Sequence, residues 1–331
     1  MKKIFALLLS AALLVTLLAA CGGGNTTDTD TDTQEPATDA STTTQVEEQE
    51  PDTGDASKDD PLNQDEIGEK ELLVVSFGTS YNDSRRETIG AIEKAMQTAF
   101  PDYSVRRAFT SQIIIDHVKD RDGVTIDNVE QALERAVNNG VKTLVVQPTH
   151  LMNGLEYEEL TDELAKYSDS FEKIAIGDPL LTSDADFEAV MTAITDATKD
   201  AADGKTAICF MGHGTTADSN SVYSKMQTLL TDKGFNDYYV GTVEATPSLD
   251  DVLAAVQKGS YEKVVLRPLM IVAGDHANND MAGDEDDSWK STFEKAGYTV
   301  DCQVEGLGQL EAIQQLFVEH AKAAVASAEA E

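Results

Sequence analysis

From residue 70 onward the chain alternates short apolar runs with longer segments of helical period. Residues 72–77 read Leu-Leu-Val-Val-Ser-Phe and stop at Gly78, the pattern of a strand buried on both faces. Residues 85–99 place Ile89, Ile92 and Met96 at helical spacing. Strands are predicted again at 103–109, 141–147 and 173–177, with helices at 129–138 and 155–167. The order then recurs. Strands are expected at 206–211, 238–243, 263–266 and 299–304, and helices at 221–230, 249–257 and 287–296. A last helix at 310–326 should pack across a sheet. Strands separated by helices imply parallel βαβ units with helices on both faces. The expected fold class is α/β, with two similar facing half-domains at 70–200 and 201–331, each a four-stranded parallel sheet flanked by helices.

The two halves align residue by residue. Ser76-Phe77-Gly78-Thr79 falls on Gly212-His213-Gly214-Thr215. Ala108-Phe109-Thr110 falls on Val243-Glu244-Ala245. Val146-Gln147-Pro148, followed by Gly154, falls on Leu266-Arg267-Pro268, followed by Gly274, which sets Glu156 opposite His276. These polar residues all follow strand ends. Ligands of open α/β sheets bind there, so the residues should converge on a cleft between the halves.

The N-terminus carries a different signal. Lys2 and Lys3 precede an apolar run at 4–20, the layout of a secretory signal peptide over residues 1–20. Leu18-Ala19-Ala20-Cys21, followed by three glycines, matches a bacterial lipobox in which Cys21 is lipidated. The alternative is a short transmembrane anchor, for which 17 residues is the bottom of the spanning range. Either reading implies an exported protein held at a membrane, and the lipobox makes it a lipoprotein anchored to the bacterial cell membrane. Residues 22–69 hold fifteen acids against one lysine and almost no large apolar residues, so 21–69 reads as a lipidated cysteine with a disordered acidic tether. The net charge of −35 excludes nucleic acid as a partner and suits attraction of cations. Cys209 and Cys302 sit in apolar strands, so no disulfide framework is expected.

Five histidines are present, and three follow strands: His150, His213 and His276. His117 and His320 fall on helices and read as ordinary. Neutral imidazole binds borderline divalent metals and can take a proton near neutral pH. No HExxH or paired CxxC is present, so sparse ligands from several loops suggest an open, exchangeable metal position rather than a closed structural one. Gly212-His213-Gly214 is too short a pattern for a phosphate cradle, and no P-loop is present. The acidic run at 284–287 reads as a solvated loop before a helix.

Longer motifs carry a resemblance. The segments 75–80, Pro148-Thr149-His150-Leu151-Met152-Asn153-Gly154-Leu155-Glu156, 210–214, Val243-Glu244, and 268–281 with Asp287-Ser288-Trp289-Lys290 resemble the anaerobic sirohydrochlorin cobaltochelatases. The resemblance covers nearly all of 71–323. That family is similar in fold to the class II chelatases, including ferrochelatase, with a tetrapyrrole cleft between two α/β halves. The resemblance implies insertion of Co²⁺ into sirohydrochlorin, without a nucleotide, on the anaerobic route to cobalamin. It implies that His150 is the catalytic proton acceptor and a metal ligand, that His213 is a second ligand, and that His276 lies in the metal or substrate site. Gly78, Thr79, Ser80, Glu156, Asp178, Gly214 and Glu244 are the expected substrate contacts, with Glu156 or Glu244 as further proton acceptors. Asp178 is placed by position after a strand. Arg85, Arg86, Arg106, Arg107 and Arg267 lie near the inferred edge and would meet substrate carboxylates. Fe²⁺ or Ni²⁺ would suit the same ligands. The export signal raises two alternatives: a tetrapyrrole- or metal-binding lipoprotein without turnover, or a chelatase for another metal such as Fe²⁺.

Overall fold

A computed structural model describes residues 53–330. The signal peptide, Cys21 and the first part of the expected tether lie outside the described residues. Two four-stranded parallel sheets are present, in the orders β2-β1-β3-β4 and β6-β5-β7-β8. The first holds β1 (Lys70–Ser76), β2 (Ser104–Phe109), β3 (Thr143–Pro148) and β4 (Lys173–Ile176). Its connections are α1 (Asn82–Glu87), α2 (Ile89–Ala99), α3 (Gln112–Asp122), α4 (Val129–Asn138) and α5 (Leu155–Ala165). A helix between the sheets, α6 (Asp184–Thr198), leads to the second half. There β5 (Thr206–Gly212), β6 (Tyr238–Thr242), β7 (Lys263–Pro268) and β8 (Thr299–Cys302) alternate with α7 (Ser221–Asp232), α8 (Leu249–Val256) and α9 (Trp289–Lys295). The chain ends in α10 (Glu311–Ala330).

Burial follows the two-residue period of each strand. Leu72 and Val74 of β1 enter one core cluster with Ile92 and Met96, while Leu73 and Val75 enter another with Leu133 and Leu164. In β5, Ile208 and Phe210 join the first of these clusters, and Ala207, Cys209 and Met211 pack on the far side with Val252 and Phe293. Both sheets therefore share one inner core, filled by Phe187 and Ile194 of α6 and Phe317 of α10. The expected two four-stranded parallel sheets flanked by helices are present, and one C-terminal element crosses between the halves. The last helix, α10, packs on β3 and β4 of the first sheet, so the C-terminal element completes the N-terminal half.

Three expectations are corrected. The helix expected at 85–99 is two helices, α1 and α2, broken at Thr88. The ladders support the β1/β5 and β3/β7 equivalence, since Val75 pairs with Pro148 as Met211 pairs with Pro268. They also pair Ser76 with Phe109 and Gly212 with Thr242, so Thr242 is the counterpart of Phe109 and Glu244 lies two residues further into the loop. Finally, the end of the expected tether is ordered. Residues 56–58 form a turn of 3-10 helix, Leu62 is buried, and Leu62 O accepts a hydrogen bond from Arg107 N at 3.1 Å. Among the described residues no helix is long and apolar enough to cross a membrane.

Candidate active site

In each sheet the chain crosses from one side of the central strand pair to the other, so the loops after β1 and β3, and after β5 and β7, splay apart. Their C-terminal ends enclose a cavity of about 480 Å³. Its walls are the turns 76–80 and 213–216 and the segments 149–156 and 270–276. Two glycines set the paired turns. Gly78 has φ +102° and Gly214 φ +91°, values that strain any residue with a Cβ. A Cβ on Gly78 would lie 2.5 Å from the Phe109 ring, and one on Gly214 would lie 2.8 Å from Ala245 N. Gly154 has φ −121° and caps α5.

The second half supplies a metal-type cluster. His213, Glu244 and His276 each bring one donor atom within 4.8 Å of the others. The two imidazoles meet edge to face with centroids 4.6 Å apart. His213 Nδ1 lies 2.8 Å from Gly214 O, an atom that only accepts, so Nδ1 carries the proton and Nε2 keeps its lone pair. His276 Nδ1 lies 2.7 Å from Asp280 Oδ2, and by the same reasoning its Nε2 is free to ligate. Donors about 2.1 Å from a first-row ion sit up to roughly 4.2 Å apart, so a small rotation closes this set around one cation. His213 and Glu244 are exposed, so the position is open to solvent.

His150 is built differently. Neither ring nitrogen has a hydrogen-bond partner, and both are shut off from solvent although the residue as a whole is half-buried. Burial pushes its pKa down to about 4, against a smaller upward pull from the Glu156 carboxylate. At neutral pH it is an uncharged imidazole with a free lone pair. It stands outside the His213–Glu244–His276 cluster but lines the same cavity.

The other expected residues divide. Gly78, Thr79, Ser80, Glu156, Gly214 and Glu244 all line the cavity. Glu244 belongs to the metal-type cluster rather than to the substrate contacts alone. Asp178 is exposed and does not line the cavity; its carbonyl accepts from Gln147 Nε2 at 3.0 Å and lies 3.0 Å from His320 Nδ1. The arginines are also elsewhere. Arg106 pairs with Glu71 and Asp127, Arg107 with Glu93 and Asp59, and Arg85 with Asp59, all buried in the first half. Arg267 is held by Glu305, and Arg86 by Asp83 and Glu87. Among the described residues no lysine or arginine lines the cavity. Asp280 was not read as functional, yet it fixes the His276 tautomer. Its i,i+4 spacing from His276 on a helical turn was the available signal.

Comparison with known proteins follows this geometry. Residues 70–326 match the family described as Cobalt chelatase (CbiK). The sirohydrochlorin cobaltochelatase of Salmonella typhimurium is 38% identical over 251 residues, covering 76% of this chain and 94% of that protein. The sirohydrochlorin cobaltochelatase CbiKC of Nitratidesulfovibrio vulgaris is 30% identical over 260 residues, 78% of this chain and 91% of that one. Among solved structures, SirB from Bacillus subtilis with Fe³⁺ superposes with a TM-score of 0.57 at 14% identity, over 80% of this chain and 98% of that chain, a likeness of fold.

Proposed function

The chain belongs to the cobalt chelatase (CbiK) family, and from that premise we propose that it inserts Co²⁺ into sirohydrochlorin with release of two protons. It is a metal chelatase. The observation that carries the assignment to these residues is a division within one cavity: a dry, uncharged His150 from the first half, and an exposed His213–Glu244–His276 cluster from the second.

Insertion exchanges two pyrrole N–H protons for one divalent ion. The substrate Co²⁺ is taken by His213 and His276 through Nε2 and by the Glu244 carboxylate. One carboxylate and two neutral imidazoles leave coordination positions for the macrocycle nitrogens, so the ion can be handed over. His150 accepts each of the two protons in turn as it leaves the ring. Glu156 beside it favours that cation and, being exposed, passes the proton to water. Ile114, Met152, Met270 and Val272 give the ring an apolar surface. Thr79, Ser80, Thr215 and Thr216 line the cavity and offer hydroxyls to the ring's carboxylates. The donors do not separate Co²⁺ from Fe²⁺ or Ni²⁺, and family membership favours Co²⁺.

The test is anaerobic. Protein, sirohydrochlorin and Co²⁺ are mixed, and ring absorbance is followed against a protein-free control and His150→Ala. Multiple turnovers that vanish in the variant are expected. Stoichiometric binding without acceleration would replace the enzyme with a carrier. Leu18-Ala19-Ala20-Cys21 further supports export and a lipid anchor at Cys21, the finer part of this reading. Cys21→Ala is expected to move the protein from the membrane to the soluble fraction, and unchanged retention would overturn the anchor.

A further inference from the structure

The family match begins at residue 70, yet the segment just before it is built into the core. Asp59 is the centre. Its side chain is 5% exposed, and it accepts from Arg85 Nε at 2.6 Å and from Arg107 Nη1 at 2.7 Å. Both arginines are shut off from solvent. Arg107 is also held by Glu93, so two buried cations face two buried carboxylates in a closed set. The segment is fixed at other points as well. Leu62 O accepts from Arg107 N, Asn63 Nδ2 donates to Thr125 O, and Thr53 O accepts from Asp83 N.

The same arginine reaches the cavity. Arg85 Nη1 donates to Thr79 O at 3.1 Å, and Thr79 is a buried residue of the cavity wall. The neighbouring carbonyl, Ser80 O, is held from the other side by Arg121. Within α1, Ser84 Oγ accepts from Ala273 N at 3.0 Å, three residues before His276 in the opposite half. A continuous chain of contacts therefore runs from Asp59 through Arg85 to the substrate-facing turn, and on through α1 to the loop carrying a metal-type histidine.

We propose that residues 53–62, at the end of the expected tether, form a strap on the chelatase domain, with Asp59 acting through Arg85 as a positioning residue for the Thr79 turn that meets the tetrapyrrole. Asp59 touches no cavity-lining group itself. Asp59→Asn keeps the size and removes the charge, leaving Arg85 with no carboxylate. Arg85→Lys keeps the charge but cannot span Asp59, Asn82 and Thr79 together.

The turnover part of the test rests on the chelatase reading, and the exchange part does not. Full chain, D59N and R85K are compared by steady-state kinetics with sirohydrochlorin and Co²⁺, and by hydrogen–deuterium exchange of the amides at 79–84. Both variants are expected to raise KM for the macrocycle about tenfold with kcat within about twofold, and to speed exchange in that turn. Unchanged KM and unchanged exchange in folded D59N would overturn the proposal; should D59N fail to fold, R85K decides it on the same readouts. A loss of kcat with KM and exchange unchanged would also overturn it. If the unaltered chain shows no turnover, the chelatase reading fails, and faster or unchanged exchange at 79–84 still decides the strap.

Discussion

Burial of His150 should be readable as a pH-dependent loss of stability. The imidazole has an ordinary pKa of 6.5 in the unfolded chain and about 4 in the native one, with burial as the main cause. Above pH 6.5 it is neutral in both states and contributes nothing. As pH falls below 6.5 the unfolded chain takes up a proton that the native site refuses, so stability drops. Below pH 4 both states are protonated and the loss levels off. A shift of 2.5 units corresponds to about 3 kcal/mol at that plateau, of which about 2 kcal/mol is reached by pH 5. The comparison is with His150→Phe, which keeps a ring in the site and removes the titration. Urea denaturation of both proteins at pH 7.5, 6 and 5 cancels the many carboxylates they share. The stability difference between them should move by about 2 kcal/mol in favour of the variant from pH 7.5 to pH 5. A difference constant to within about 0.5 kcal/mol would mean that the imidazole is hydrated in solution, and its assignment as a dry, uncharged proton acceptor would fall.

Two other outcomes are expected. His213→Ala or Glu244→Gln should weaken Co²⁺ binding at least tenfold by calorimetry, because each removes one of three donors, whereas His150→Ala should leave Co²⁺ affinity within about threefold. A larger loss in His150→Ala than in His213→Ala would place His150 among the metal ligands. Arg106→Ala should cost about 1–3 kcal/mol of stability in chemical denaturation: burial already pushes the Glu71 carboxyl up to about 7, so it takes a proton when its cation is lost and the cost is that of unmade buried hydrogen bonds; no measurable loss would contradict the buried pairing.

The sheet strands and the histidines at their ends were legible because each is signalled locally. A run such as Leu72-Leu73-Val74-Val75 states its own burial, and the order of strands and helices implies parallel pairing. The start of α6 is signalled locally too, since Ser183 and Asp186 form a capping box in which each side chain meets the other's backbone N–H. Other features depend on tertiary partners that no local period encodes. α10 has the apolar face of any terminal helix, and nothing in that face says it closes the first sheet rather than the second.

The arginines show most clearly why charge at a strand is ambiguous. Arg106 and Arg107 are adjacent in β2, so their side chains leave opposite faces of the sheet. One enters the Glu71–Asp127 pair and the other the Asp59–Glu93 pair. Read as sequence, two arginines near a ligand edge look like carboxylate receptors, because the acids that neutralise them lie from 14 to 48 residues away. Among the described residues the cavity has no lysine or arginine, and its carboxylates are those of Glu156, Glu244 and Asp275. Such a wall attracts a divalent ion and leaves recognition of an anionic ring to hydroxyls, amides and apolar contact. A chelatase that draws a divalent ion into its cleft is served by that distribution, and arginines at the rim would compete with the ion for the same acids.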